Sequence, residues 1–152
     1  MTTRRELLQR SASVAGLLAG LGLLPGTAQA AWNPAAFDAK NLAEVMRALG
    51  LSAPVDSKDV VLQGPEIAEN GAVVPVSVAC ALGGVKRLLI LVEKNPSLLC
   101  AVFEVSDAIE PSIATRVKLG QSSNVLAVAV MADGRVLFSQ KDIKVTLGGC
   151  GG

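Results

Sequence analysis

From residue 55 to residue 147 the sequence is a succession of short apolar or alternating runs, each closed by a turn signal. That rhythm restricts the fold more than any other feature, because period-two runs at this spacing leave no room for helices between strands. Val60-Val61-Leu62 opens the series, and Asn70-Gly71 predicts a hairpin into residues 72–79. Pro75 lies inside that run and cannot donate to a ladder, which predicts an edge position or a bulge. Gly83-Gly84 precedes a strand over 85–93, and Asn95-Pro96-Ser97 precedes one over 98–105, so these three segments read as a meander. Ile113, Thr115, Val117 and Leu119 then alternate with Arg116 and Lys118. Residues 124–131 read as a buried strand, and Asp133-Gly134 as a tight hairpin into 135–139. Ile143, Val145 and Leu147 close the series against Asp142, Lys144 and Thr146. Seven or eight strands joined by hairpin turns predict a mostly β chain, an antiparallel β-sandwich of immunoglobulin-like type. The one tryptophan, Trp32, stands ahead of the sheet, so the Cys…Trp…Cys core of antibody domains is missing.

One helix is expected before the sandwich. Asn33-Pro34 reads as an N-cap followed by proline at the first helical position. Phe37, Leu42, Val45, Met46 and Leu49 recur at helical spacing, and Gly50 sits where a C-terminal cap belongs. These signals predict a single amphipathic helix over 34–49, packed on a sheet or on a partner.

The first thirty residues read as an address. Arg4-Arg5 precede an uncharged stretch over 11–24, then Pro25-Gly26 and the small-residue site Ala28-Gln29-Ala30. This is the layout of a cleaved signal peptide, and the paired arginines with a mildly apolar core point to the twin-arginine (Tat) route. The apolar run is shorter than the roughly 20 residues a spanning helix needs, which weighs against a membrane anchor. The organisation expected is a leader over 1–30, a helix-plus-sandwich domain over 31–147, and a tail over 148–152. Cleavage after Ala30 removes Arg4, Arg5, Arg10 and Glu6 and leaves 11 Lys/Arg against 12 Asp/Glu. A periplasmic protein with no membrane attachment after cleavage follows.

Composition excludes several activities. The chain of 152 residues has no histidine, which removes the usual general base, Ser-His-Asp and Cys-His pairs, and histidine-held zinc or haem. There is no Cys-x-x-Cys. Charge is nearly balanced and aromatic residues make up 3%, so sequence-independent nucleic-acid binding lacks both its cations and its stacking platforms. Glu66, Glu69, Glu104, Asp107 and Glu110 show no recurring ligand spacing and read as solvated edges; no metal site is expected. Arg116 and Lys118 share a strand face that would attract an anion or an acidic partner, or is simply solvated.

The chemistry is concentrated at Leu147-Gly148-Gly149-Cys150-Gly151-Gly152. Four glycines flank a single thiol, and glycine loses the most entropy on ordering, so this tail is expected to settle into no single conformation. From Leu147 an extended chain carries Cys150 about 10 Å away. The tail supplies no histidine, cation or helix N-terminus to lower the thiol pKa, so Cys150 reads as an attachment point and not as a self-activated nucleophile. Chemistry alone leaves three readings open: a carrier arm, an intermolecular disulfide tether, or an end without a role. The other thiols, Cys80 and Cys100, read as buried small hydrophobes, and the meander would hold them too far apart for a disulfide.

The Gly-Gly-Cys-Gly-Gly terminus resembles that of the SoxY family, sulfur-carrier subunits of the bacterial thiosulfate-oxidising Sox system, as does the twin-arginine leader. Residues 67–76 (IAENGAVVPV) are similar to an "NGA-x-VP-V" region of that family, and Glu93-Lys94-Asn95-Pro96 to its "E-x-NP" turn. The resemblance implies a non-catalytic subunit without a cofactor of its own, carrying covalent sulfur adducts on Cys150, with Gly148, Gly149, Gly151 and Gly152 as the flexible arm. It implies a heterodimer with SoxZ, which is exported by riding along. It also implies transient docking to the haem protein SoxXA, to the manganese hydrolase SoxB and, where present, to a sulfane dehydrogenase.

Overall fold

The computed structural model describes residues 33–146 continuously, and of the leader residues 4–6, 8–10, 13 and 16. The described leader residues are helical, and Ser13 Oγ donates to Gln9 O at 3.0 Å. Among the described residues no helix is long and apolar enough to cross a membrane. Leu147, the glycine arm with Cys150, and Trp32 lie outside the described residues.

The expected helix is two helices, α1 (Pro34–Asp38) and α2 (Leu42–Ala48). Asn33 caps α1 with Pro34 behind it, as its sequence predicts, its side chain accepting the Ala36 N–H at 3.2 Å. The break falls at Ala39–Asn41. Ala39 is extended at ψ 142° and Asn41 starts a second cap, its Oδ1 accepting the Glu44 N–H at 2.9 Å. Glu44 reaches back to the Lys40 N–H (2.8 Å) and to Asn41 Nδ2 (2.8 Å). Two side chains that satisfy the free N–H groups of a new first turn outweigh an unbroken apolar period. These hydrogen bonds also hold the Glu44 carboxyl below the usual carboxylate range, the Lys40 amide contributing most. At the far end Gly50 adopts φ +67°, Gly50 N–H bonds Arg47 O and Leu51 N–H bonds Met46 O, which is a Schellman closure.

Nine strands follow among the described residues: β1 (Val55–Asp56), β2 (Val60–Gln63), β3 (Ile67–Ala68), β4 (Val74–Cys80), β5 (Val85–Val92), β6 (Leu99–Glu104), β7 (Ser112–Val117), β8 (Ser123–Met131) and β9 (Val136–Val145). One sheet runs β1-β9-β8-β5-β6 with β3 also on β9; the other runs β2-β4-β7. The long pairings are antiparallel, as expected for the sandwich. The two-residue strands β1 and β3 add to β9 in parallel and cover its outer edge at Leu137–Phe138 and at Lys144–Val145.

The meander does not form. β4 lies in the small sheet and β5 in the large one, so Gly83-Gly84 carries the chain across the sandwich. Asn70-Gly71 likewise makes a turn but no hairpin, because β3 and β4 belong to different sheets; Asn70 Oδ1 accepts the Ala72 N–H at 2.9 Å. Pro75 sits on the central strand of its sheet, two residues before Ser77, where the pairing with β2 ends. Locally it therefore has the free side that proline requires. The Asp133-Gly134 hairpin forms as read, with Gly134 at φ +87° and Met131 N–H bonded to Arg135 O. Residues 136–145 are one strand, not two.

Two cores explain why β5 and β8 read as continuous apolar runs. Leu88, Ile90 and Val92 with Val125, Ala127 and Ala129 face the small sheet. Leu89 and Leu91 with Leu126, Val128 and Val130 face α1 and α2, against Ala36, Val45 and Met46. Strands buried on both faces cannot alternate with polar residues.

Candidate functional site

The arm residues Gly148, Gly149, Cys150, Gly151 and Gly152 lie outside the described residues, so the structure gives the arm's root. β8 begins at Ser123, which pairs with Ile143, and β9 runs two residues beyond that pair. There the ladder is continued by side chains and by β3. Val145 N–H donates to Ser122 Oγ at 2.9 Å, where a further β8 residue would have accepted. Thr146 N–H donates to Ala68 O at 3.1 Å, and Lys144 N–H donates to Glu66 O at 2.9 Å. The last two described residues before the arm are therefore held on opposite sides, Val145 by Ser122 and Thr146 by Ala68.

The two internal segments that carried the resemblance converge on the same end of the sandwich. The Glu93–Pro96 turn reaches the loop between β7 and β8 through Asn95. Its Nδ2 donates to Lys118 O at 2.6 Å, and its Oδ1 accepts the Gly120 N–H at 3.2 Å. Between those two anchors Leu119 is fully buried, and its N–H donates to Gly71 O at 2.7 Å, tying in the Asn70-Gly71 turn. Lys94 N–H donates to Ser123 Oγ at 3.1 Å, which supplies a partner for the one buried polar residue among the described residues. Asn124 Nδ2 donates to Glu93 Oε2 at 3.1 Å. Sequence reasoning named Asn95 only as part of a turn and did not single out Ser122. Their partners are distant in the chain, and only the turn preceding a strand was legible.

The other sequence candidates stay separate. Asp107 pairs with Lys86 at 3.0 Å, both exposed, and Glu104 approaches the half-buried Arg87 at 3.8 Å, pairs of small energetic weight. No cluster of three or more metal-ligating side chains occurs among the described residues. Arg116 lines an open groove of about 490 Å³ with Gln63, Gly64, Pro75 and Thr115, while Lys118 is exposed and does not line it.

Cys80 and Cys100 are free thiols. Cys80 is 6% exposed and packs in the inter-sheet core, as read from sequence. Cys100 is half-buried and packs against the same core. Its Sγ lies 3.8 Å from Asn95 Nδ2, so it backs the side chain that grips the β7–β8 loop. Burial pushes the Cys100 thiol pKa up, with the Asn95 hydrogen bond opposing. Folding therefore favours its protonated form. That contribution is complete below about pH 8.5 and is lost as pH rises through the raised folded value. Denaturant midpoints are expected to decline above about pH 9 in the natural chain and to decline less in Cys100→Ser. Equal slopes in the two chains would remove Cys100 as the cause.

A family model described as sulfur oxidation protein SoxY matches residues 45–150. Among solved structures, the sulfur carrier protein SoxY from Chlorobium limicola f thiosulfatophilum aligns with a TM-score of 0.61 and 30% identity, covering 69% of this chain and 94% of that one. A superoxide reductase (neelaredoxin) from Ignicoccus hospitalis aligns at TM-score 0.50 and 18% identity, covering 57% and 79%, a likeness of fold alone. No curated protein sequence matches the chain.

Proposed function

The chain belongs to the SoxY family of sulfur oxidation proteins, and from that premise we propose that it is a periplasmic sulfur carrier holding thiosulfate-derived intermediates covalently on Cys150. The observation that carries this reading is the root geometry. The described residues are hydrogen-bonded through Thr146, which precedes the thiol by four positions in the sequence. Four residues at full extension span about 14 Å. The SoxY carrier of Chlorobium limicola, 30% identical, supports the same role.

The chemistry asks little of the carrier. In the loading step the Cys150 thiol and thiosulfate join through a new S–S bond, releasing one proton and two electrons to a haem partner of the SoxXA kind. Water then cleaves the terminal sulfonate in a SoxB-type hydrolase, giving sulfate, two protons and a persulfide anion left on Cys150. A sulfane dehydrogenase, where present, oxidises that remaining sulfur. No general base on this chain is needed, which agrees with the absence of histidine. Arg4 and Arg5 direct Tat export of the folded chain, with SoxZ bound as its heterodimeric partner. Gly148, Gly149, Gly151 and Gly152 let the thiol enter several enzymes, because backbone without a Cβ threads a narrow channel.

Thiosulfate labelled in its outer sulfur tests the reading. The isolated chain is expected neither to bind nor to consume it. With the haem and hydrolase partners, the label is expected to stay on the protein while sulfate is released unlabelled. Turnover of thiosulfate by the isolated chain, or label that never becomes protein-bound, would overturn the proposal.

A further inference from the structure

The outer edges of the two sheets are not alike. β1 and β3 cover the outer edge of β9. On β6 the register shifts opposite Ile90 and Leu91. β2 ends after four residues, ahead of Gly64-Pro65. Short strands, bulges and covers of this kind keep an edge from pairing with another chain. β7 has none of them. Its six residues, Ser112–Val117, pair one to one with β4, with no register shift, proline or lysine. The phase of that ladder is set by Cys80 N–H, which donates to Pro111 O at 3.0 Å. Bonded and non-bonded pairs alternate from there, so Ile113, Thr115 and Val117 exchange hydrogen bonds with β4. Ser112, Ala114 and Arg116 then turn their N–H and C=O groups outward. Arg116 is exposed and makes no ion pair among the described residues.

We propose that the outer edge of β7 receives an extended strand of the partner subunit, with a carboxylate on that strand set against Arg116. This rests on the heterodimer reading given above. Three outward N–H groups and three outward C=O groups are a strand's complement, and such backbone pairing supplies affinity while the side chains select the partner. Arg116 supplies the selection: it lines the open groove on the outer face of this sheet, so an arriving carboxylate finds a cation with no existing partner to displace. Ser112 and Ala114 are small and leave the approach clear. A second copy of β7 does not meet this requirement, because Ser112–Val117 contains no Asp or Glu. Ile113 packs on the inter-sheet core yet stays half-exposed, which gives the added strand apolar surface to cover.

Amide hydrogen exchange by NMR, on the isolated chain and on the heterodimer copurified with its partner subunit, tests the proposal. In the heterodimer the amides of Ser112, Ala114 and Arg116 are expected to slow about tenfold or more, while Ile113, Thr115 and Val117 are protected in both samples. Ala114→Pro removes an outward N–H and leaves the ladder to β4 intact, as an edge strand allows. It is expected to weaken association about tenfold, the loss of one net hydrogen bond, with the isolated fold unchanged. Arg116→Glu is expected to weaken association about as much and to lower its salt dependence. If Ala114→Pro does not fold, Arg116→Glu and the exchange pattern decide. An intact heterodimer in which Ser112, Ala114 and Arg116 exchange as fast as in the isolated chain would overturn the docking strand and leave the heterodimer standing. Protection that appears in the isolated chain and grows with its concentration would assign the edge to a second copy and overturn the proposal as well. A chain that binds no second subunit refutes the heterodimer reading, and the proposal falls with it.

Discussion

Replacing Cys150 with alanine is expected to abolish sulfur loading completely and to leave folding untouched. Cys150 follows Thr146, the last described residue, by four positions in the sequence, and the two cores of the described residues are built from the helices and strands before it. A substitution away from packing and caps changes stability by about 0.5 kcal/mol or less. Thermal midpoints of the two chains should then agree within about 2 °C. Loading has no second acceptor to fall back on. Cys80 is 6% exposed in the inter-sheet core. Cys100 is half-buried with its thiol pKa raised, which keeps it in the unreactive protonated form. Serine at position 150 is expected to be as inactive as alanine, because a hydroxyl cannot supply the sulfur of the S–S bond. A Cys150→Ala chain that still acquired thiosulfate sulfur would show that the carrier site lies elsewhere.

The largest expected loss of stability is at Leu89. It is fully buried on the helix-facing side of β5, between α1 and α2 on one side and its β6 and β8 neighbours, Val102 and Val128. Leu89→Ala removes transfer energy and leaves a cavity that strands paired on both sides cannot close, a cost of about 2–5 kcal/mol. Against a total of about 5–15 kcal/mol that is a large fraction. The melting temperature should drop by roughly 8–20 °C. A surface change such as Lys86→Ala, whose partner Asp107 is 77% exposed, is expected to shift it hardly at all. A Leu89→Ala chain as stable as the parent would mean that the helices do not seal that face.

The two-layer β architecture was legible because alternation and turn residues report directly on backbone and burial. Asn33-Pro34 and Gly50 marked helix ends correctly for the same reason: each acts on its own backbone. Pairing was less legible. Asn70-Gly71 specifies a turn but not which strands it joins, and the chain changes sheets there. Gln140 and Lys141 fall between two predicted runs, yet they continue β9: Gln140 is exposed, and Lys141 Nζ donates to Gly64 O at 2.7 Å. The helix break at Ala39–Asn41 was hidden by apolar spacing that carries through it from Phe37 to Leu42.

The candidate thiol was legible from its covalent neighbours alone, four glycines and no activating group. The contacts near its root were not, because Asn95 and Lys118 are 23 positions apart and meet only when β7 returns beside the Glu93–Pro96 turn. Cys100 was read only as a small hydrophobe, and its place behind Asn95 emerges only from that same convergence.

Intact mass of the mature protein, purified from cells oxidising thiosulfate and measured before and after reductant with mapping of the tail peptide, tests the central claim most directly. Covalent carriage predicts added masses of sulfane, sulfonate or thiosulfonate on the peptide bearing Cys150, with the sulfane and thiosulfonate increments removed by reductant, and a chain that begins at Ala31. A bare Cys150 thiol under those conditions, or only a disulfide joining two copies of the chain through it, would contradict the account.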